Sequence, residues 1–260
     1  MMLKNKVAVI YGAGGAIGGA VARAFAGEGA RVFLTGRRQA PVEAVAKDIV
    51  SAGGSAEAAE VDALDEQAID KHLQSVIDKA GRVDISFNAA GIRNTKILGV
   101  PLAELDVEQF SLPIAAYTRS YFLTARLAAR RMVANKSGVI MTVTALLARQ
   151  GTTLNGGYGS AQAAKEALTR DLSAELAPQG IRVVCLRPHG MPETITMKEF
   201  SAKGAGMTRE QLEGYLASTT HPRRVMKLEE MANMAVFMAS DKASGMTGTT
   251  VNLTMGSLDD

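Results

Sequence analysis

Short apolar runs alternate with amphipathic segments along most of the chain. The runs are only a few residues long, and several are rich in valine and isoleucine, as is usual for β-strands. We predict seven strands, at Val7–Tyr11, Arg31–Thr35, Ala56–Val61, Val83–Phe87, Gly138–Thr144, Ile181–Arg187 and Thr249–Leu253. Continuous apolar runs of this kind are typical of parallel strands that helices cover on both faces.

The amphipathic segments between these strands predict helices. Proline near a helix start and glycine just beyond a helix end mark several of the boundaries. The predicted helices are Ala16–Gly29, Pro41–Gly53, Asp65–Ala80, Val107–Ala134, Gly159–Ala177 and Leu228–Ser240. Strand and helix alternate so regularly that we predict an α/β fold with a Rossmann-type doubly wound parallel sheet, in a single domain over residues 1–260.

One segment, residues 190–223, interrupts this alternation. It lies between the sixth and seventh predicted strands and carries Met191, Met197, Phe200 and Tyr215 among glycines and charged residues. Open α/β sheets bind ligands beyond the carboxyl ends of their strands. We therefore interpret residues 190–223 as a substrate lid, and a helical excursion on the surface is the alternative.

Composition narrows the class of protein. The 260 residues are 47% hydrophobic and 21% charged, with a net charge of +3, so neither nucleic acid nor a membrane surface is an expected partner. No apolar stretch reaches the length of a membrane span. The one cysteine, Cys185, excludes an internal disulfide and is consistent with a reducing compartment. We expect a soluble cytoplasmic enzyme that acts on a small molecule and binds no metal.

A glycine-rich turn follows the first strand and opens the first helix. Backbone N–H groups in such a turn approach a pyrophosphate closely, and the helix N-terminus adds partial positive charge. The spacing of Gly12, Gly14 and Gly18 has one residue more than the G-x-G-x-x-G pattern before the last glycine. The predicted dinucleotide-binding residues of this turn are Gly12, Gly14, Gly15, Ala16, Ile17 and Gly18.

The end of the second strand predicts the choice of cofactor. An NAD site usually places an acidic residue here to bind the ribose 2′-hydroxyl. This chain has Gly36, followed by Arg37 and Arg38. The missing carboxylate leaves room for a 2′-phosphate, and a guanidinium pairs well with phosphate, so the pattern favours NADP(H) over NAD. Solvated arginines at a strand end are the alternative.

Further motifs resemble those of the short-chain dehydrogenase/reductase family over nearly the whole chain. They are Val61-Asp62, Asn88-Ala89-Ala90-Gly91, Tyr158, the segment LTRDLSAELAPQGIRV at 168–183 and the closing MTGTTVNLTMGS at 246–257. The resemblance implies more cofactor-binding residues: Asp62, Ala63, Asn88, Ala89, Ala90, Gly91, Tyr158, Gln162, Pro188, His189 and Gly190. The predicted helices Val107–Ala134 and Gly159–Ala177 are apolar on more than one face, and the closing segment resembles a contact surface of the family, so we predict a homotetramer. The proline–glycine pair of the family is stretched here to Pro188-His189-Gly190.

The catalytic group departs from the family pattern of Asn, Ser, Tyr and Lys. An ungapped alignment places Ala145 at the serine position, Gln162 at the lysine position and Tyr117 at the asparagine position. Only the tyrosine, Tyr158, remains. A tyrosine without an adjacent cation stays protonated at neutral pH, which favours its use as a proton donor in reduction.

Several residues are candidates to replace the missing groups. Lys165 lies seven residues after Tyr158, a spacing similar to that of the enoyl-carrier-protein reductases, and a solvated helix lysine is the alternative. Thr144 carries a hydroxyl beside Ala145 but points to the opposite face of a regular strand. Tyr117 faces Tyr158 from another helix or packs as an aromatic core residue. His189 and His221 are candidates for the lid, and Cys185 for inert core packing.

The leading hypothesis is an NADPH-dependent oxidoreductase with an atypical catalytic group that reduces a ketone, an imine or an activated alkene. A catalytically impaired NADPH-binding or regulatory protein is the first alternative. Non-redox chemistry, such as a lyase or dehydratase reaction on the same scaffold, is the second.

Overall fold

The computed structural model describes residues 1–94 and 96–259, with backbone only for residues 203–205. Seven parallel strands form one sheet in the order β3-β2-β1-β4-β5-β6-β7. They are β1 Val7–Tyr11, β2 Arg31–Gly36, β3 Ser55–Glu60, β4 Ile85–Asn88, β5 Gly138–Val143, β6 Ile181–Pro188 and β7 Thr249–Leu253. The predicted Rossmann-type doubly wound sheet is confirmed, with strand ends shifted by at most two residues.

Helices cover both faces of the sheet. They are α1 Ala16–Gly27, α2 Gln39–Ser51, α3 Glu66–Ala80, α4 Val107–Met132, α5 Tyr158–Leu176, α6 Ile195–Glu199, α7 Arg209–Ser218 and α8 Leu228–Ala239. The fourth helix ends before the predicted Ala134, because a 3₁₀ turn over Val133–Asn135 leads into Lys136 in the left-handed region at φ 47°. Within the described ranges, no helix is both long enough and apolar enough to cross a bilayer.

Successive side chains of β1 point to opposite faces of the sheet and so contact the two layers of helices in turn. Ala8 and Ile10 face the layer of α1, α2 and α8, whereas Val9 and Tyr11 face α3, α4 and α5. These side chains are fully buried, as expected for a parallel strand covered on both faces. The chain order reverses between β1 and β4, so a crevice opens there at the carboxyl edge of the sheet.

The segment predicted as a lid contains regular structure. It carries α6, a π-helical turn over Phe200–Ala205, and α7. A capping box between Thr208 and Gln211 begins α7, which explains why a helix starts after the glycines. The segment leaves β6 at the same edge of the sheet as the crevice.

Candidate active site

A cleft of about 510 Å³ lies at the carboxyl ends of the central strands. Most residues predicted for a cofactor or for catalysis line it. They are Gly12, Gly14, Gly15, Ala16, Ile17, Gly18, Arg37, Arg38, Asp62, Ala63, Ala89, Ala90, Gly91, Tyr117, Thr144, Tyr158, Gln162 and Lys165. The cleft thus has two ends, which we call the glycine end, around the turn after β1, and the tyrosine end, around Tyr158.

The glycine end depends on the absence of side chains. Gly12 has φ +77°, and a Cβ there would lie 2.6 Å from the carbonyl oxygen of Ala89. A Cβ on Gly18 would collide with the carbonyl oxygen of Gly12. Gly15 caps α1 without a side-chain hydrogen bond, so the first N–H groups of the helix stay available to a ligand. This cradle fits the pyrophosphate of a dinucleotide.

Two arginines stand at the rim of the glycine end. The side chains of Arg37 and Arg38 are exposed, and β2 ends at Gly36 just before them. Neither guanidinium forms an ion pair or a hydrogen bond with another residue of the described ranges. Both remain available to an anionic group in the cleft.

Four residues predicted to bind the cofactor do not line the cleft: Asn88, Pro188, His189 and Gly190. The amide of Asn88 donates to the Thr124 hydroxyl at 2.9 Å, and its oxygen accepts from the Ala90 N–H, so it shapes the turn from below. His189 is buried, and its Nε2 lies 3.0 Å from the Thr219 hydroxyl on the segment that follows α7. Burial lowers the pKa of His189.

Close packing of α4 and α5 positions Tyr158. A Cβ on Gly157 would collide with the carbonyl oxygen of Phe110, so only glycine lets the start of α5 approach α4 this closely. The ring of Tyr158 then meets Tyr117 edge to face, with centroids 5.8 Å apart and planes at 78°. The structure therefore places these two predicted residues side by side at the tyrosine end.

The electrostatics of the tyrosine end keep the Tyr158 phenol protonated. Burial raises its pKa, the nearby Tyr117 raises it further, and a hydrogen bond with Thr196 opposes the rise only in part. Burial also raises the pKa of Tyr117. Gln162, at the position where the family has lysine, is buried beside them and carries no charge.

The hydroxyl of Thr144 belongs to a buried network of hydrogen bonds. Its hydroxyl donates to Glu166 at 3.0 Å and lies 3.3 Å from the Cys185 thiol. Glu166 in turn receives two hydrogen bonds from Arg187, at 2.8 and 2.9 Å. Because these partners lie within the sheet–helix interface, Thr144 supports α5 from the sheet.

Lys165 differs from the solvated lysine that the sequence left as one alternative. It is only 2% exposed, and its Nζ donates to the carbonyl oxygen of Val143 at 2.6 Å. The same Nζ lies 5.7 Å from the ring centroid of Tyr117 and 5.9 Å from that of Tyr121. Lys165 also lines the cleft, so the surface interpretation is wrong and a buried ammonium lies at the tyrosine end.

The segment predicted as a lid forms one wall of the cleft. Thr194, Thr196 and Lys198 on and before α6 line it. The buried carboxylate of Glu199 accepts a hydrogen bond from the Asn94 N–H at 2.9 Å and pairs with Arg93 at 3.3 Å, which ties α6 to the segment after β4. His221 is exposed, lies against Gly256 and does not line the cleft.

Sequence reasoning missed Ser120 and the residues after β4 that line the cleft, Ile92 and Arg93. Ser120 lies one helical turn after Ala116, which also lines the cleft, so a small-residue face on α4 was the available signal. No pattern in the sequence marks Ile92 or Arg93, because they belong to an irregular segment.

The chain is similar over nearly its full length to known oxidoreductases. A family model described as enoyl-(acyl carrier protein) reductase matches residues 12–257. An uncharacterized oxidoreductase of Bacillus subtilis, YxbG, is 32% identical over 95% of this chain and 88% of that protein. The 7α-hydroxysteroid dehydrogenase of Escherichia coli is 30% identical over 98% of this chain and 95% of that protein.

Solved structures give the same fold. A xylitol dehydrogenase with bound NAD⁺ superposes with a TM-score of 0.91 at 23% identity, covering 98% of this chain and all of that one. A protein from Beutenbergia cavernae, assigned as an NAD(P)-dependent gluconate 5-dehydrogenase and containing NADP, has a TM-score of 0.86 at 30% identity over 98% of this chain and 97% of that one. Both forms of the dinucleotide therefore occur among the similar structures.

Proposed function

Because the chain belongs to the short-chain dehydrogenase/reductase family and is therefore an oxidoreductase that uses a nicotinamide cofactor, we propose that it is an NADPH-dependent reductase of a ketone, an imine or an activated alkene. A bound reduced nicotinamide would supply the hydride, and the remaining steps fall to the side chains of the cleft. The glycine turn would hold the pyrophosphate, as its close backbone approaches allow.

The preference for NADPH rests on the rim of the glycine end. Gly36 leaves no carboxylate to repel a 2′-phosphate, and the exposed guanidiniums of Arg37 and Arg38 have no partner among the described residues. A guanidinium and a phosphate form a charge-assisted, bidentate contact. One family member among the similar structures carries NADP, which is consistent with this preference.

The direction of the reaction rests on Tyr158, and this observation carries the proposal. Tyr158 lines the cleft, burial raises its pKa, and Gln162 adds no charge to lower it. Such a phenol holds its proton at neutral pH, so in the resting protein it has a proton to donate and is not available as a base. When hydride reaches the substrate carbon, Tyr158 gives its proton to the oxygen or nitrogen of the reduced bond, or to the neighbouring carbon of an alkene.

The lid would enclose the substrate beside Tyr158. Thr194, Ile195 and Thr196 line the same cleft as Tyr158, and Ile195 adds an exposed apolar side chain. The relatives include a 7α-hydroxysteroid dehydrogenase, and the matching family model is described as enoyl-(acyl carrier protein) reductase. We therefore keep both carbonyl and alkene substrates within the proposal.

We further propose that the chain assembles as a homotetramer. On α4, Val107 is 71% exposed and Phe122 is 41% exposed, so this long helix leaves apolar surface that its own sheet does not cover. Sedimentation at micromolar concentration would measure the mass directly. A single species of the 27.3 kDa chain mass would contradict the assembly.

A catalytically impaired NADPH-binding protein is the second candidate. The observation in its favour is that Ala145 and Gln162 lack the hydroxyl and the ammonium that the family pattern places beside the tyrosine. Such a protein would bind NADPH through the glycine end but would not reduce a substrate.

Stereospecific oxidation of NADPH with a panel of ketones, imines and enones separates the two candidates. Turnover of at least one class, with hydride taken from one face of the nicotinamide, supports the reductase. Tight NADPH binding without turnover of any class favours the second candidate, and absence of binding of either nicotinamide cofactor contradicts both.

A further inference from the structure

Two cations that line the cleft take no part in the proposed transfer of hydride and proton. They are Arg93, on the irregular segment after β4, and Lys198, on α6, and both side chains are exposed. Lys198 forms no ion pair and no side-chain hydrogen bond with another residue of the described ranges. A cation that faces a ligand cleft with unused N–H groups is available to an anionic group of the ligand.

The buried carboxylate of Glu199 fixes the position of Arg93. Glu199 is 5% exposed, accepts a hydrogen bond from the Asn94 N–H at 2.9 Å and pairs with one terminal nitrogen of Arg93 at 3.3 Å. A guanidinium has five N–H donors, so this single contact leaves most of them unused. The Arg93 side chain is 67% exposed although its partner is buried. The guanidinium is therefore anchored at one nitrogen and accessible to a ligand at the others.

Helix α6 relates Arg93 to the proposed proton donor. Thr196, on α6, forms a hydrogen bond with Tyr158, and both line the cleft. Glu199 comes three residues later, about one helical turn along α6. Burial raises the pKa of Tyr117, and the charge of Glu199 raises it further, so this carboxylate is within electrostatic reach of the tyrosine pair. Because Glu199 also holds Arg93, the guanidinium lies at the tyrosine end of the cleft.

The side chains that line the tyrosine end carry a net positive charge. Arg93, Lys198 and the buried Lys165 contribute positive charge. Among the described residues, Glu193 is the acid that lines this end, and it lies 3.9 Å from the guanidinium of Arg209 on α7. The buried carboxylate that holds Arg93 does not line the cleft, and positive charge remains even when it is counted. A concave site of one sign attracts ligands of the opposite sign.

We propose that the substrate carries an oxyanion, a carboxylate or a phosphate, on the part that does not react, and that Arg93 and Lys198 bind this group. The inference rests on the proposed function and names the class of substrate that the site reduces. The reducible bond would lie at Tyr158, and the oxyanion would lie between α6 and the segment after β4. Arginine binds carboxylate and phosphate by the same paired hydrogen bonds, so the two groups share one chemistry. The oxyanion keeps its charge throughout the reaction.

The test compares oxo acids with their methyl esters, because the two members of a pair differ in charge and keep the same reducible group. Acetoacetate, levulinate and 5-oxohexanoate place the ketone progressively further from the carboxylate. Pyrroline-2-carboxylate and 4-oxo-2-pentenoate extend the comparison to an imine and an activated alkene. Dihydroxyacetone phosphate and dihydroxyacetone form the phosphate pair, so the two arms show which oxyanion the site binds.

With NADPH saturating, we expect kcat/KM to be at least about tenfold higher for one charged compound than for its neutral counterpart, mainly through a lower KM. The oxyanion binds equally in the ground state and the transition state, so kcat should differ little within the pair. The KM of the charged compound should rise with added KCl, because exposed charges are screened by salt, and the KM of the ester should not.

Variants assign the effect to the two cations. Arg93→Met keeps a long side chain and removes its charge, so it should raise the KM of the preferred charged compound by about tenfold and leave the ester unaffected. Arg93→Lys should recover part of the loss, because the charge returns without the planar fork of the guanidinium. Lys198→Met should raise the same KM by about threefold, as expected for an exposed charge. Lys71→Met, which changes an exposed lysine on α3 outside the cleft, is the matched control and should behave as the native chain does.

Melting curves verify that each variant is folded, because Arg93→Met removes a partner of the buried Glu199. Lys198 has no such partner among the described residues, so Lys198→Met tests the inference without disturbing an ion pair. Fluorescence titration of NADPH accompanies the kinetics. We expect each variant to bind NADPH within a factor of about two of the native chain.

The outcomes separate this inference from the proposed function. Equal kcat/KM within every pair, or turnover of neutral compounds alone, overturns the inference and leaves the reductase proposal standing. A preference for the charged compound that persists in both Arg93→Met and Lys198→Met also overturns it, because the oxyanion is then held elsewhere. Weaker NADPH binding in these variants, with charged and neutral substrates affected alike, assigns the cations to the cofactor and overturns it as well. If no compound of any class is reduced, the proposed function fails first and the inference fails with it.

Discussion

The two ends of the cleft are built by different means. At the glycine end, the backbone itself forms the surface of the cleft. Gly12 and Gly18 have no room for a Cβ, and no side chain caps α1. At the tyrosine end, side chains shape the cleft, and its wall there includes the buried ammonium of Lys165, one helical turn beyond the uncharged Gln162. A site made of backbone tolerates little change, whereas a site made of side chains can obtain the same charge from a neighbouring turn of the helix.

The largest expected effect is on cofactor binding at the glycine end. Gly18→Ala places a methyl group against the carbonyl oxygen of Gly12 and should abolish measurable cofactor binding. Gly27→Ala makes the same chemical change at the other end of α1, where nothing lies within 4 Å of the new Cβ. We expect Gly27→Ala to retain native binding and to stabilise the fold by about 0.5–1 kcal/mol, since alanine is the better helix former. Equal binding by both variants would remove the contrast between the two ends.

The next effect tests the chemistry at the tyrosine end. Tyr158→Phe deletes the proton donor and keeps the ring that packs on Tyr117, so kcat should fall by roughly 10²–10⁴-fold with cofactor affinity unchanged within a factor of about two. Tyr117→Phe keeps the same ring pair and should lower kcat far less. Steady-state kinetics on the best substrate of the panel gives both values. A fully active Tyr158→Phe would show that the proton comes from elsewhere.

The third effect concerns the free energy of unfolding, which the buried ammonium of Lys165 lowers. The folded pKa of Lys165 lies below the 10.5 of a free lysine, so the unfolded chain binds more protons between about pH 8 and 10.5. Its contribution therefore makes the native chain more stable as pH rises through that window. Lys165→Met should be more stable than the native chain at pH 7, by about 1–3 kcal/mol, and the difference should shrink toward pH 10. Denaturant unfolding at several pH values measures it, and a less stable Lys165→Met at pH 7 would contradict this account.

The smallest effect concerns the choice of cofactor. Arg37→Ala should weaken NADPH binding by about tenfold, or about 1.4 kcal/mol, and leave NADH binding unchanged. Titration of both cofactors by fluorescence checks it, with Arg38→Ala beside it to show which guanidinium contributes more. If the native chain binds NADH as tightly as NADPH, the proposed preference is wrong.

The fold and the glycine end were accessible from the sequence because both follow from local patterns. The apolar run at Val7–Tyr11 and the glycines after it occur as predicted, at the same residues. The tyrosine end was harder to predict, because α5 buries a polar face. Gln162, Lys165 and Thr169 recur at helical spacing and all lie inside, between α4 and the sheet. Reasoning from polarity alone puts such residues in solvent, and only the packing of α5 against α4 reveals otherwise.

The shared face of Gln162 and Lys165 also has a consequence for how such a cleft can change over generations. Lysines at both positions would place two Cβ atoms about 5–6 Å apart on one buried helix face, and ammoniums at a similar separation would repel each other by about 3 kcal/mol at an effective dielectric of about 20. Lysine at neither position would leave this face of α5 without a cation. Moving the charge from one turn to the other by single substitutions passes through a chain with both lysines or with neither. The two positions are expected to vary together across relatives, with lysine at one excluding lysine at the other.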